Sequence, residues 1–416
     1  MASNRAGGQP ERTFWLLVAA IFTVAVNSQV MNPVLPAVAE DFDASVSGAG
    51  LAVTAYLLPY GALQLLYGPL ADRVGRVQVI VVALGAAALG TLLCAIAPSL
   101  NLLIAFRFLT GGTAAAVIPL TFTYIGDTIE YSRRQAAIGY TAMSLSLGNV
   151  LAGALGGFLA AFVSWRAIFI IIAAISGAVV LLILREPNAR QRPAATPRSF
   201  LEPIRSAIED RRHIGYYLMI VVEGTIVLGA FSYFGLILRD RDEFSYAAIG
   251  VIISLYGLTS VLAGRLLGSL AARLGERRMI LFGGALVSIA LALMLAPPLP
   301  FFPLAMITAG FGYVVMHTTF QTRATELVPS ARATGVAIFA FSLFMGGSLG
   351  SFVIAQGFDR IGFNPTLIGV LGVTVAFVLF AAWAILPLTQ PHQAAAREGA
   401  APDRRVGGGS AGALRK

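Results

Sequence analysis

Long apolar runs separated by short polar turns dominate this chain. At about 20 apolar residues per bilayer crossing, they predict twelve membrane spans, near residues 14–38, 48–70, 77–97, 100–124, 134–160, 165–185, 213–238, 247–270, 278–297, 301–322, 333–356 and 364–387. The short alternating segments of a closed barrel are missing, so the expected fold is an all-α integral membrane protein. The first run continues past Val30 without a small-residue cleavage site, which reads as a retained helix and not a signal peptide.

One segment occurs twice. GPLADRVGRV at residues 68–77 returns as GSLAARLGER at residues 268–277, with Gly, Leu, Ala, Arg and Gly in register at an offset of 200. Each copy ends one apolar run, turns, and opens the next, so the chain is two related halves with equivalent hairpins. A weaker second pairing relates 127–139 to 326–336. Between the halves, the polar stretch 185–213 carries Pro187, Pro193 and Pro197, which forbid a continuous helix, while 200–208 suits the membrane surface. The expected organisation is a cytoplasmic tail at 1–13, a six-helix bundle at 14–185, a cytoplasmic linker at 186–212, a second bundle at 213–388 and a disordered tail at 389–416.

Composition agrees: 57% of residues are hydrophobic and 12% charged, too little polarity to cover a water-facing surface. The net charge of +9 does not call for nucleic acid. Arg166, Arg239, Arg241 and Arg360 fall outside and Arg107 lies within span four, while the other basic residues sit at inner ends, loops and tails. That is the positive-inside pattern with both termini cytoplasmic. The first outer loop is acidic, with Glu40, Asp41 and Asp43. Cys94 is the only cysteine, which excludes an intramolecular disulfide and a cysteine metal cluster.

Polarity inside the membrane falls on particular helices. Spans three, six, nine and twelve hold little beyond Thr91, Ser176, Ser288 and Thr374, whereas spans one, four, seven and ten hold Asn27, Gln29, Asn32, Arg107, Glu223, His317 and Gln321. Helices bearing such groups must turn them to the bundle interior, so these four should line a central path. Glu223 lies roughly 15 Å into span seven and is the only carboxylate near the middle of any span. It is the leading candidate to take up a proton on one face and release it on the other; a permanently protonated structural acid is the alternative. His317 is a second titratable candidate, with a neutral hydrogen-bonding ring as its alternative. Arg107 requires a cavity or a partner, and serves either the proton site or a structural hub. Tyr56, Tyr60, Gln64, Asn149, Tyr233, Tyr256 and Gln321, with Asn27, Gln29 and Asn32, are candidate cavity residues, although tyrosines near span ends also act as interfacial anchors.

These residues resemble the major facilitator superfamily, and within it the twelve-span drug:proton antiporters. Residues 68–76, from Gly68 to Arg76, look like the superfamily signature between spans two and three. Arg107 with Gly111 and Gly112 resembles the arginine motif of span four, and Pro33-Val34-Leu35-Pro36 resembles an exporter pattern in span one. Gly139, Gly148, Gly156 and Gly157 fall at the spacing of the antiporter glycine motif, with Ala152 for a family glycine and Gly153 for its proline. The resemblance implies the major facilitator fold, two pseudo-symmetric six-helix bundles. It also implies a gate of Gly68, Asp72, Arg73, Gly75, Arg76, Asp127, Arg133 and Arg134, in which Asp72 meets the start of span eleven and the Arg133–Arg134 region. Ala272 replaces Asp72 in the second copy, so only the first hairpin can form that latch.

The expected function is secondary transport by alternating access: proton-coupled export of a small organic or amphipathic compound, as in efflux and multidrug resistance. Uptake by symport or facilitated diffusion is the alternative within transport; a sensor or an intramembrane enzyme is the alternative outside it. No nucleophile–base pair, metal-ligand cluster or phosphate loop stands out, so no catalytic or metal site is expected and the chain does not read as an enzyme. No cofactor is expected beyond the proton gradient. The expected partners are substrate, protons and membrane lipid, the expected state a monomer. Abundant Ala, Gly and Arg point to a GC-rich bacterial genome, hence a cytoplasmic (inner) membrane.

Overall fold

The computed structural model describes residues 9–186, 210–296, 298–327 and 332–384. Most of the expected linker, the expected tail at 389–416 and the amphipathic stretch at 200–208 lie outside the described residues. So do the first eight positions of the expected N-terminal tail.

The described residues are helical throughout their spans. Ten helices are long and apolar enough to cross a membrane, and the pair Arg12–Gln29 and Met31–Asp41, bent by 46°, makes an eleventh span. The twelfth is hidden in Tyr246–Leu293, whose helical backbone breaks at Gly275. Gly310 of span ten packs on the Tyr256 carbonyl, and Gly312 packs on Gly283. In one straight helix residues 256 and 283 would stand about 40 Å apart, so the chain must double back at Gly275. Gly275 has φ +70° and its repeat partner Gly75 has φ +114°. These values need glycine, and they make the duplicated motif a duplicated turn. Gly68 behaves differently: no atom lies within 4 Å of where its Cβ would be, so it holds no close helix approach in this conformation.

Prolines set the breaks in spans one and four. Pro33 has no N–H for the Gln29 carbonyl, and the helix Gln9–Gln29 ends there before Met31–Asp41 begins. Pro119 likewise leaves the Ala115 carbonyl free, and the helices Leu100–Ala114 and Val117–Thr128 meet at that point. Span seven breaks without a proline: Arg211–Gly224 passes through a π turn at Thr225–Gly229 and a 3-10 turn at Ala230–Tyr233 before Phe234–Asp240. Glycines admit its neighbour. Gly224 and Gly229 face the backbone of span eleven, while Gly346 and Gly350 of span eleven face Val221 and Thr225. Thr225 Oγ1 donates 3.0 Å to the Gly346 carbonyl across this contact.

Calling outer the side opposite the linker and both tails, contacts between the halves gather at the outer ends. Spans two and eleven meet from Ser47, whose N–H donates 3.0 Å to Asp359 Oδ2, through Thr54 and Ser351 at 2.6 Å, to Gly61 against Phe344. Spans five and eight meet where Gly157 and Gly153 face Gly250, and Ser254 Oγ reaches the Val150 carbonyl at 3.2 Å. Spans one and seven meet where the Asn32 carbonyl, left without a helix donor by Pro36, lies on Gly235. Toward the inner ends the same helix faces lose their partners: Gly68, in register with Gly61 on span two, and Gly139, in register with Gly157 on span five, have no atom within 4 Å of where a Cβ would be. The protein is closed outside and open inside.

Candidate functional site

Beneath that outer seam lies a pocket between the halves. Its wall includes Ser28, Gln29 and Asn32 of span one, Asn149 of span five, Phe231 and Ser232 of span seven, and Tyr256 of span eight. Four of the expected cavity residues, Gln29, Asn32, Asn149 and Tyr256, are therefore brought together. Ser28, Phe231 and Ser232 were not expected; Phe231 and Ser232 enter because the irregular turns of span seven swing them inward. The lining offers amides, hydroxyls and rings, without a charged side chain.

Tyr256 begins a column of rings that leaves the pocket. Its centroid is 6.1 Å from Tyr313, Tyr313 is 4.8 Å from His317, and His317 is 5.3 Å from Phe339. His317 closes the column on Glu223: its Nδ1 lies 3.1 Å from Oε1, across 94 positions of sequence. Glu223 is fully buried, and its Oε2 has no hydrogen-bond partner among the described residues. The His317 side chain keeps 14% exposure, so the imidazole is the member of the pair that solvent can reach. The π turn begins two residues after Glu223, and such interruptions recur at functional sites.

The chemistry of the pair follows from burial. With one proton, the pair is either a carboxylic acid bonded to neutral imidazole or a carboxylate bonded to imidazolium, and both are neutral overall. With none, the carboxylate is left with one buried oxygen that has no hydrogen-bond partner among the described residues.

Arg107 lies apart from this pair and from the pocket. It is 1% exposed, and its NH1 donates 2.8 Å to Asn27 Oδ1 and 3.2 Å to the Asn27 carbonyl, while Nε donates 3.4 Å to the Ala52 carbonyl. Asn27 in turn donates to Thr91 Oγ1 at 2.5 Å, and the guanidinium sits 4.1 Å from the Tyr56 ring centroid. Its partners are neutral oxygens and a ring within the first half. Asn27 and Tyr56, expected in the cavity, serve this hub instead. Tyr60 stacks on Tyr56 and meets Phe344 at 4.4 Å. Tyr233 donates 2.6 Å to the Ser351 carbonyl in the outer seam, and Gln321 is exposed one turn inward of His317.

At the inner hairpin, Arg76 pairs with Asp72 at 3.8 Å and with Asp127 at the end of span four, and donates 3.0 Å to the Thr123 carbonyl. Asp72 and Arg73 are exposed, and Arg134 Nε donates 2.8 Å to the Ile129 carbonyl. Asp72 thus pairs with Arg76 of its own hairpin, while the side chains at the start of span eleven, where its latch is expected, lie outside the described residues.

The sequence profile of the Major Facilitator Superfamily matches residues 17–351 and again 240–411. The chain belongs to the major facilitator superfamily. It is 29% identical over 351 residues to an uncharacterised MFS-type transporter of Bacillus subtilis, YceJ, covering 81% of this chain and 87% of that one. It is 26% identical over 380 residues to Multidrug resistance protein 2 of Bacillus subtilis, covering 86% and 88%. Among solved structures, the nucleoside transporter NupG aligns with a TM-score of 0.73 at 15% identity over 91% of this chain and 99% of its own. A bacterial homologue of the human lysosomal transporter Spinster aligns with a TM-score of 0.73 at 19% identity, covering 91% and 96%. This is therefore a multi-pass membrane transporter of small molecules with the major facilitator fold, and not an enzyme.

Proposed function

We propose that this transporter is a proton-coupled exporter of small organic or amphipathic compounds, with Glu223 and His317 as its proton-carrying pair. The observation that carries the reading is the 3.1 Å contact between a fully buried carboxylate and a partly exposed imidazole, reached from the inter-half pocket through Tyr256 and Tyr313. A proton held there keeps the pair neutral. Substrate arriving in the open inner pocket favours its loss, and re-protonation follows when the site faces outward. The pocket's rings and neutral polar groups suit an amphipathic guest.

Relatives named as multidrug resistance proteins and an efflux pump support export. The basic inner loops support a bacterial cytoplasmic membrane with both termini in the cytoplasm. The energy source is the proton gradient, with no cofactor, and the working unit is a single chain. Adding a transported compound to the purified protein in weakly buffered detergent, with a pH dye, tests the coupling. The wild type releases protons on binding and Glu223→Gln does not; equal release from both would end the assignment.

A further inference from the structure

The outer seam is held by a three-residue latch that draws its acid from one half and its receivers from the other. Arg239 Nε donates 2.8 Å to Glu40 Oε1, Tyr246 Oη donates 2.5 Å to Glu40 Oε2, and the Arg239 guanidinium lies 4.8 Å from the Tyr246 ring centroid. Both oxygens of one carboxylate at the end of span one are thus used by the end of span seven and the start of span eight. The neighbouring acid is engaged within its own half: Asp41 accepts 2.7 Å from Arg166.

The 200-residue repeat extends to these loops and isolates what is special about them. Asp43 and Glu243, 200 positions apart, both take positive φ, at 46° and 55°. Ser45 and Ser245 both cap the helix that follows, accepting from the N–H of Gly48 and of Ala248. The two loops share one design, yet Arg239 and Tyr246 correspond to Ala39 and Val46 in the first copy. Asp240, the counterpart of Glu40, therefore faces no equivalent receivers and lies within electrostatic reach of Glu40 and Arg239. A helix–loop–helix that needed Arg239 and Tyr246 only for folding would give no reason for both to reach across to the other half.

We infer that Glu40, Arg239 and Tyr246 form the extracytoplasmic gate latch, which must break for each passage through the outward-open state. The inference rests on the seam geometry and not on the direction of transport or on the proton pair. It is tested in the full-length protein by placing a reporter cysteine at Ser232, buried in the pocket below the seam, with Cys94→Ala as background. The readout is the labelling rate with a membrane-impermeant maleimide applied from the outer side. Glu40→Gln is expected to raise that rate roughly fivefold, as loss of a charge-assisted contact allows. Tyr246→Phe, which keeps the ring and removes only the hydroxyl, raises it less. The exchange of Glu40→Arg with Arg239→Glu brings it back toward the parent. An unchanged rate in both Glu40→Gln and Tyr246→Phe, or a charge exchange as accessible as Glu40→Gln alone, would overturn the latch.

Discussion

Replacing Gly157 with alanine should tilt this transporter toward the outward-open state without loosening its fold. A Cβ at 157 would sit 2.5 Å from the Gly250 Cα, 2.5 Å from the Tyr246 carbonyl oxygen and 2.7 Å from the Gly250 nitrogen. All three are backbone atoms, so no side chain can rotate away and the two helices must separate. Overpacking of this kind costs about 1–3 kcal/mol. Spans five and eight belong to different halves and meet here only while the outer seam is closed, so the cost falls on one state of the cycle. The ratio of outward-open to inward-open protein should rise by about five- to 150-fold, the equivalent of that energy. Outside labelling of a cysteine at Ser232 measures the ratio, and thermal unfolding measures the fold. Two glycines of the same motif are controls. Gly148→Ala meets the Ala25 Cβ at 2.6 Å and the Phe22 carbonyl at 2.9 Å within the first half, a clash present in both states, and should lower thermal stability without moving the ratio. Gly139→Ala has nothing within 4 Å in this state and should neither move the ratio nor lower thermal stability. If Gly157→Ala labels at the parent rate, or Gly148→Ala shifts accessibility instead, the assignment of the seam is wrong.

Other consequences follow from the same contacts. Arg107→Lys keeps the charge but cannot reproduce the forked contacts to Asn27 and Ala52 or the stack on Tyr56, and should lose about 1–3 kcal/mol in thermal or denaturant unfolding. Arg76→Ala removes pairs whose acidic partners are more than half exposed, Asp72 by 60% and Asp127 by 54%, and should cost less than about 1 kcal/mol by the same assay. Gly75→Ala forces a side chain to φ +114° and should cost more, about 1–3 kcal/mol. His317→Gln keeps a hydrogen-bonding group beside Glu223 but removes the imidazole proposed to share the proton with it; it should abolish accumulation driven by a pH gradient while substrate exchange at equal pH survives.

Much of the architecture could be read along the chain because lipid imposes it. Every span must close its own backbone hydrogen bonds and stay apolar for about 20 residues, and glycine is required at the two turns, so both the helices and the repeat leave a mark in the sequence. Glu223, His317 and Arg107 were also legible one at a time, since charge within a span is rare and conspicuous. Their partners were not. Glu223 meets His317 across 94 positions and Arg107 meets Asn27 across 80, and these contacts depend on how helices rotate about their axes. Asn27 accordingly turned away from the pocket toward Arg107, and the irregular turns of span seven, which have no proline to announce them, brought in Phe231 and Ser232. One signal was available: Gly250 and Gly257 lie seven apart on span eight, opposite the glycines of span five, and mark a face built for close approach.

Glu223 is proposed to carry the proton that drives transport. Proteoliposomes given a pH gradient and a transported compound test it most directly, comparing wild type with Glu223→Gln for uphill accumulation and for exchange at equal pH. Glu223→Gln is expected to lose accumulation and keep exchange. Undiminished accumulation by Glu223→Gln on the imposed gradient would contradict it.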